Sequence, residues 1–233
     1  MMVVSSRVAV VTGASRGLGL ALTRALVADG WSVIVDGRAG DELMAAVSGL
    51  PGPGEAVAIP GDVTDPDHVR SLAQAATGIG PVRLIVNNAS YLGPSPQPVL
   101  ADYPLDTLRR VYEVNVVAPL ALIQAFIPLM VGAGGVILNI TSDAGVEGYP
   151  GWGGYGSSKA ALEQVSRVLA AEQPQLRVYW VDPGDMNTRM QQEAFPGEDV
   201  SDRPAPEQSV PGLLELAKGV LPSGRYQARS IGS

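Results

Sequence analysis

Tyr155 is followed four residues later by Lys159, in the run Tyr155-Gly-Ser-Ser-Lys159. Four residues is just over one helical turn, so on a helix the two side chains leave the same face as neighbours. A lysine cation beside a phenol favours the phenolate and lowers a pKa that is otherwise near 10. Such a tyrosine serves as proton donor and acceptor near neutral pH. Many exposed helices carry this spacing, so its weight comes from the rest of the chain. Near the N-terminus, Thr12-Gly13-Ala14-Ser15-Arg16-Gly17-Leu18-Gly19 follows an apolar strand. Glycines at 13, 17 and 19 sit where the chain must turn and approach a ligand closely. Backbone amides at the start of the following helix, with its dipole, suit a pyrophosphate. The spacing is Gly-x-x-x-Gly-x-Gly rather than the commoner Gly-x-Gly-x-x-Gly.

Asn115 carries a separate argument. In a helix its carbonyl would accept from the amide of residue 119, which is proline and has no amide hydrogen. A helical segment here leaves that carbonyl free, or the helix is simply kinked. Ser142, in Thr141-Ser142-Asp143, reads in isolation as a turn serine. Tyr149, Trp152, Met186 and Met190 suit the wall of an apolar pocket, and they suit core packing or a subunit contact equally well. His68, in Asp65-Pro66-Asp67-His68-Val69, reads as a solvated helix start.

Apolar β-rich runs alternate with longer helical patterns, the signature of an α/β fold with a doubly wound parallel sheet. Strands are expected at Val8–Thr12, Val33–Val35, Ala56–Pro60, Leu84–Asn87, Val136–Thr141, Arg177–Val181 and a short seventh near Arg225–Ala228, with a helix over Gly17–Asp29. They are near-continuous apolar runs, as expected where helices cover both sheet faces. Residues 1–233 read as one domain. Within it the least regular stretch, 184–211, follows the sixth strand, where a ligand cleft opens at the strands' carboxyl ends. It is expected to be a substrate-covering loop.

With 233 residues and 46% apolar content, the chain can bury the core of one α/β domain. A net charge of −7 with no basic cluster argues against non-specific nucleic-acid binding. There is no cysteine, so disulfides and thiolate chemistry are excluded. One histidine leaves no His-based metal cluster and no Ser-His-Asp triad. The uncharged stretch Val114–Ser142 is long enough to span a membrane, but its prolines and the break Gly132-Ala133-Gly134-Gly135 favour a buried helix followed by a buried strand. No signal peptide is evident, and a cytoplasmic, non-membrane protein is expected.

Taken together, Thr12 to Gly19, Asn87-Asn88-Ala89, Asn115, Ser142, Tyr155-x-x-x-Lys159 and Pro183-Gly184 resemble, in order and spacing, the short-chain dehydrogenase/reductases. The resemblance covers nearly the whole chain. It implies a three-layer Rossmann fold with a mostly parallel seven-stranded sheet, a nicotinamide dinucleotide, and reversible hydride transfer at a carbonyl or secondary alcohol carbon. By resemblance Tyr155 is the general acid or base, Lys159 lowers its pKa and binds the nicotinamide ribose, and Ser142 holds the substrate oxygen. The Asn115 carbonyl binds a water that links Lys159 to solvent. Cofactor contacts fall on Gly13, Ser15, Arg16, Gly17, Leu18, Gly19, Asn88, Ala89, Pro183, Gly184, Thr188 and the adenine-contacting pair Asp62-Val63. For Asp62 a helix cap is the plain alternative. Ser90 departs from the family's glycine after Asn-Asn-Ala and adds a hydroxyl near the cofactor.

Counted from Gly30, the family's acidic position for the NAD ribose falls on Gly37, with Arg38 next and Arg16 in the glycine turn. This is the pattern of NADP(H)-dependent members, since guanidinium forks suit phosphate. Asp36 lies one residue earlier, and strand alternation sends it to a different face. A one-residue shift in register would make the protein NAD-dependent instead. Two other readings are a non-catalytic NADP-sensing protein and a sugar-nucleotide epimerase or dehydratase. The first commonly lacks the Tyr or Lys, and the second needs a larger C-terminal domain. The resemblance further implies a homodimer or homotetramer packed through the helices that carry Asn115 and Tyr155.

Overall fold

A computed structural model describes residues 7–130 and 134–232. In chain order the main elements are β1 (Val8–Val11), α1 (Gly17–Ala28), β2 (Ser32–Gly37), α2 (Gly40–Val47), β3 (Glu55–Pro60), α3 (Pro66–Ile79) and β4 (Val82–Asn87). There follow α4 (Leu105–Tyr112), α5 (Ala118–Met130), β5 (Val136–Ile140), α6 (Gly153–Glu172), β6 (Arg177–Asp182), α7 (Arg189–Ala194), α8 (Val210–Ala217) and β7 (Gly224–Gln227).

The seven strands form one sheet in the order β3-β2-β1-β4-β5-β6-β7, and every pairing is parallel. The chain winds outward from β1 to β3, then returns to β4 beside β1 and winds the other way. The strand order therefore reverses between β1 and β4, and a crevice opens at their carboxyl ends. The glycine turn and Asn87-Asn88-Ala89 follow those two strand ends directly.

Strand alternation sorts the core into two layers. Ala9, Val11, Val33, Val35, Leu84 and Val86 pack with α1, α2 and α8 on one side. Val8, Val10, Ile34, Ile85, Ile137 and Val178 pack with α3, α5 and α6 on the other. Strand β2 is longer than its apolar run suggested, because Asp36 and Gly37 continue the ladder opposite Ile59 and Pro60. The last strand lies one residue earlier than expected, at Gly224–Gln227.

Between α4 and α5 the helix widens into a π-turn over Glu113–Val117, where the Ala118 amide reaches back five residues to the Glu113 carbonyl. The widening stands just ahead of Pro119, whose ring would otherwise press on the preceding turn. The continuous segment Leu105–Met130 is long and apolar enough to cross a membrane by length and composition. Leu122, Ile123, Phe126 and Met130 are instead buried against the sheet, as in the core helix of a globular protein.

Candidate active site

The glycine turn owes its shape to backbone freedom at two positions and to close packing at a third. Gly13 and Gly17 have φ of 66° and 57°, in the left-handed region that side chains disfavour. A Cβ on Gly19 would lie 2.5 Å from the Gly13 carbonyl oxygen, so only glycine lets α1 begin there. The turn is stitched to the neighbouring strand end. The Asn88 side-chain amide donates to the carbonyls of Thr12 (2.8 Å) and Gly13 (3.0 Å), and the Thr12 hydroxyl accepts from the amides of Asn88 and Ala89, each at 3.0 Å.

A cleft of about 900 Å³ runs along these strand ends. Its walls include Gly13, Ser15, Arg16, Gly17, Leu18, Arg38, Asp62, Val63, Asn88, Ala89, Tyr155, Lys159, Pro183 and Thr188. Gly19 lies beneath the turn, and Asn115 stands behind the cleft, almost fully buried. Asp62 does not cap α3; Asp65 does, accepting from the Asp67 amide. Asp62 instead accepts from the Thr64 amide (2.9 Å) and hydroxyl (2.8 Å) and from Arg110 Nη2 (2.7 Å). Burial works against its charge, but these donors outweigh it and hold the carboxyl below its usual range.

Asp36 also borders the cleft, but its carboxylate is turned into the fold beneath the glycine turn. It follows the parity of Ile34, toward α3, where Oδ2 meets His68 Nε2 at 3.2 Å and Oδ1 accepts from the Gly13 amide at 2.7 Å. His68 is therefore buried and paired, not solvated as its polar neighbours suggested, because α3 lays its first turn over the end of β2. Residue 37 has the opposite parity; a Cβ there would come within 3.5 Å of Ser15, beside the glycine turn. Being glycine, it places no carboxylate at that point. Arg16 pairs with Glu42 at 3.2 Å and is half exposed, whereas Arg38 has no ion-pair partner among the described residues.

Small residues bring the catalytic candidates together. A Cβ on Gly156 would meet the Ala144 carbonyl at 2.5 Å, and one on Gly145 would lie 3.2 Å from Lys159. The start of α6 thus rests on the turn that follows β5, with Ser142 and Tyr155 on one cavity wall. Ser142 accepts from the Ala144 amide (3.2 Å) and donates to Asp143 (2.8 Å), so the turn serine and the site serine are the same residue. Asn115 Oδ1 accepts from Ser90 Oγ (3.1 Å) and the Tyr91 amide (2.8 Å), while its Nδ2 donates to the Tyr91 carbonyl and to Ser158 Oγ. Ser90 in turn hydrogen-bonds the Tyr155 phenol.

Electrostatics of the Tyr155–Lys159 pair run against the simple expectation. Lys159 Nζ donates to the Ile140 carbonyl at 2.9 Å and lies 5.3 Å from the Tyr155 ring centroid. Burial lowers Lys159 to about 7. Burial also raises Tyr155 well above its ordinary value; the Ser90 hydrogen bond opposes the rise, and the charges of Asp182 and Asp143 add to it. A lysine only partly protonated at neutral pH and committed to a carbonyl exerts little field on the phenol, so desolvation wins.

Beyond Tyr155 a second cavity of about 340 Å³ opens. Tyr149, Trp152, Met186 and Met190 all line it, joined by Leu92 and Phe195. Part of its wall comes from residues 184–195, within the 184–211 stretch, and these residues are more regular than expected. They contain α7, whose first turn is capped by Thr188 Oγ1 accepting from the Gln191 amide at 3.2 Å. Pro183-Gly184 is held from behind: the Pro183 carbonyl accepts from Ser209 Oγ (2.7 Å) and Arg229 Nε (3.1 Å). Gly184 has φ of 72°, and a Cβ there would strike Arg229.

The family model described as short chain dehydrogenase matches residues 7–199. The chain belongs to the short-chain dehydrogenase family. It is 36% identical over 196 residues to 1-deoxy-11-beta-hydroxypentalenate dehydrogenase of Streptomyces arenae, covering 79% of this chain and 69% of that one. It is 31% identical over 232 residues, 95% of this chain and 84% of the relative, to the rhamnolipids biosynthesis 3-oxoacyl-[acyl-carrier-protein] reductase of Pseudomonas aeruginosa. Among solved structures, a short chain dehydrogenase of Shigella flexneri complexed with NADP superposes with a TM-score of 0.88 at 29% identity, covering 97% of this chain and 98% of that one.

As a short-chain dehydrogenase, the protein is an NAD(P)-dependent oxidoreductase, and its cleft fits a dinucleotide. The glycine turn and the first residues of α1 border the cleft, and a helix start suits a pyrophosphate. Several residues of this site escaped the sequence reading. Arg110, from α4, clamps Asp62, and Asp182, at the end of β6, binds the Gly184 amide at 2.8 Å. Glu163 and Arg225 pair beneath Ser142, with Arg225 Nη2 donating to the Ser142 carbonyl at 3.3 Å. Only Asp182 had a local signal, its place just before Pro183-Gly184; the others depend on contacts between distant segments.

Proposed function

We propose that the protein is an NADP(H)-dependent carbonyl reductase or secondary-alcohol dehydrogenase with Tyr155 as general acid and base. The observation that carries this reading is that Tyr155 borders both the dinucleotide cleft and the smaller cavity. A bound nicotinamide supplies the hydride in reduction and accepts it in oxidation. Tyr155 gives its proton to the substrate oxygen in reduction and takes it back in oxidation. Its raised pKa keeps that proton available across the neutral range. Ser142 turns its hydroxyl from Asp143 to the same oxygen, Lys159 binds the ribose, and Thr188 binds the carboxamide.

The preference for NADP(H) over NAD(H) rests on charge. Arg38 and Arg16 border the cleft, Gly37 brings no carboxylate, and Asp36 is occupied by His68 and Gly13. The NADP-complexed neighbour from Shigella flexneri supports the same choice. A homodimer or homotetramer built on the α4–α5 and α6 faces is consistent with the exposed Val117 and Val168 there. Residues 184–211 act as the cover over the substrate.

The test is a pair of titrations with NADPH and NADH, followed by assays of Tyr155→Phe. Tighter binding of NADPH, together with a mutant that binds it normally but does not turn over ketones, is the expected result. Near-wild-type turnover by Tyr155→Phe would sink the assignment. Stoichiometric NADPH binding without turnover of any carbonyl would favour a cofactor-sensing protein.

A further inference from the structure

The smaller cavity has an unbalanced charge. Three carboxylates, Asp143, Asp182 and Asp185, stand on its wall, and no lysine, arginine or histidine does. Asp182 is partly offset from below by Arg225, 3.7 Å away, which also serves buried Glu163. Asp143 and Asp185 have no ion-pair partner among the described residues. Their contacts are neutral: Asp143 accepts from Ser142 Oγ, the Ala144 amide and the Tyr149 hydroxyl, and Asp185 accepts from Gln191 Nε2 at 3.2 Å. Two loop cations stand outside the wall. Arg203 lies over Phe195, pairs with Asp202 and also feels the charge of Asp185, while Arg229 grips the Asp185 backbone carbonyl.

Aromatic rings stand among these carboxylates. Trp152 packs edge-on to Tyr155 at 5.9 Å and against Phe195 at 5.8 Å, and Tyr149 stands beside Asp143. Aromatic faces and carboxylates converging on one small cavity are the two elements that attract an organic cation. The same carboxylates repel an anion, and no guanidinium or ammonium in the wall compensates. The volume of about 340 Å³ lies at the small end of ligand pockets, enough for a substituted monocyclic compound.

We infer that this cavity selects apolar carbonyl compounds bearing a positive charge, accepts neutral ones less well, and rejects carboxylate- or phosphate-bearing ones. The inference rests on the proposal that this cavity is the substrate site and deepens it to a substrate class. Asp185 is the specificity-determining residue most open to substitution, since among the described residues its side chain accepts one hydrogen bond, from Gln191.

Three ketones of matched shape provide the test: para-acetylphenyl trimethylammonium, para-tert-butylacetophenone and para-acetylbenzoate. Their dissociation constants are measured by calorimetry on the wild-type protein loaded with NADPH, and again on Asp185→Asn. The expected order is cation, neutral, anion, with at least about a tenfold gap between the two ions, as a net excess of negative charge on the cavity wall produces. Asp185→Asn should narrow that gap severalfold. Equal or reversed affinities, an unchanged gap in the variant, or no measurable binding of the cation would overturn the inference. NADPH oxidation by the same ketones is read separately. Binding in the expected order without oxidation would refute the reductase proposal and leave the charge selection standing.

Discussion

The Asp36 carboxylate joins His68 to the glycine turn, one oxygen 3.2 Å from His68 Nε2 and the other accepting from the Gly13 amide at 2.7 Å. A carboxylate so engaged supports the turn from beneath, and on the NADP(H) proposal Arg38, not Asp36, reads the ribose substituent. Arg38→Ala should therefore weaken NADPH binding about tenfold or more, the usual scale for a charge-assisted phosphate contact, and leave NADH nearly unchanged. Asp36→Asn should weaken both cofactors to a similar degree by loosening the turn. Fluorescence titration of each variant with both dinucleotides checks this. Selective loss of NADH in Asp36→Asn would mean that Asp36 reads the ribose after all.

Burial of Lys159 ties activity and stability to pH in opposite senses. Its folded pKa of about 7 lies below the ordinary lysine value, so between about 7 and 10 the unfolded chain binds the extra proton. Stability contributed by this residue therefore rises with pH across that window, and the deficit is complete below about 7. Lys159→Met should raise the melting temperature more at about pH 6 than at about pH 10. The charged form needed at the ribose is lost as pH rises through about 7, so kcat/KM for NADPH should fall there. A flat profile, or a variant less stable than wild type at the lower pH, would contradict this account.

The Ser90 hydroxyl donates to Asn115 Oδ1 at 3.1 Å and lies against the Tyr155 phenol. The single hydroxyl proton lies toward Asn115 while Tyr155 is neutral and turns to the phenolate when it ionises, which favours the ionised form. Ser90→Gly should push the phenol higher still, slowing alcohol oxidation by about three- to tenfold, the worth of one hydrogen bond. The pH midpoint of oxidation should move upward, while ketone reduction changes less. Equal losses in both directions with an unmoved midpoint would reduce Ser90 to a packing role.

Glu163 is 1% exposed and accepts from Arg225 Nε and Arg167 Nη2, each at 2.9 Å, and from Thr141 Oγ1 at 3.1 Å. It fastens α6 to β7 beneath Ser142. Glu163→Ala should cost about 1–3 kcal/mol, because it removes the acceptor shared by Arg225, Arg167 and Thr141 while Arg225 keeps Asp182 and the Ser142 carbonyl. Glu163→Gln, which keeps an acceptor, should cost less. Urea denaturation of both variants would show the difference; a loss below about 1 kcal/mol in the alanine variant would place the pair among the weak surface bridges.

The order of strands and helices, the glycine turn and the Tyr155-x-x-x-Lys159 pair were legible in the sequence by itself. Each is encoded over a few residues: apolar runs set strands, positive φ requires glycine, and a four-residue spacing sets a helix face. The parity argument for Asp36 was legible for the same reason. What Asp36 turned toward was not. His68 looked solvated among Asp65, Pro66 and Asp67, and became buried only because α3 crosses the end of β2. The direction of the Tyr155 shift was likewise hidden, since it depends on how much water the fold removes and on the Ile140 carbonyl that Lys159 meets. The acidic, aromatic cavity draws its walls from the turn after β4, the turn after β5, the start of α6 and the segment around α7. Local propensity is written in neighbouring residues. Desolvation and charge balance are sums over residues far apart in the chain, and only packing brings those residues together.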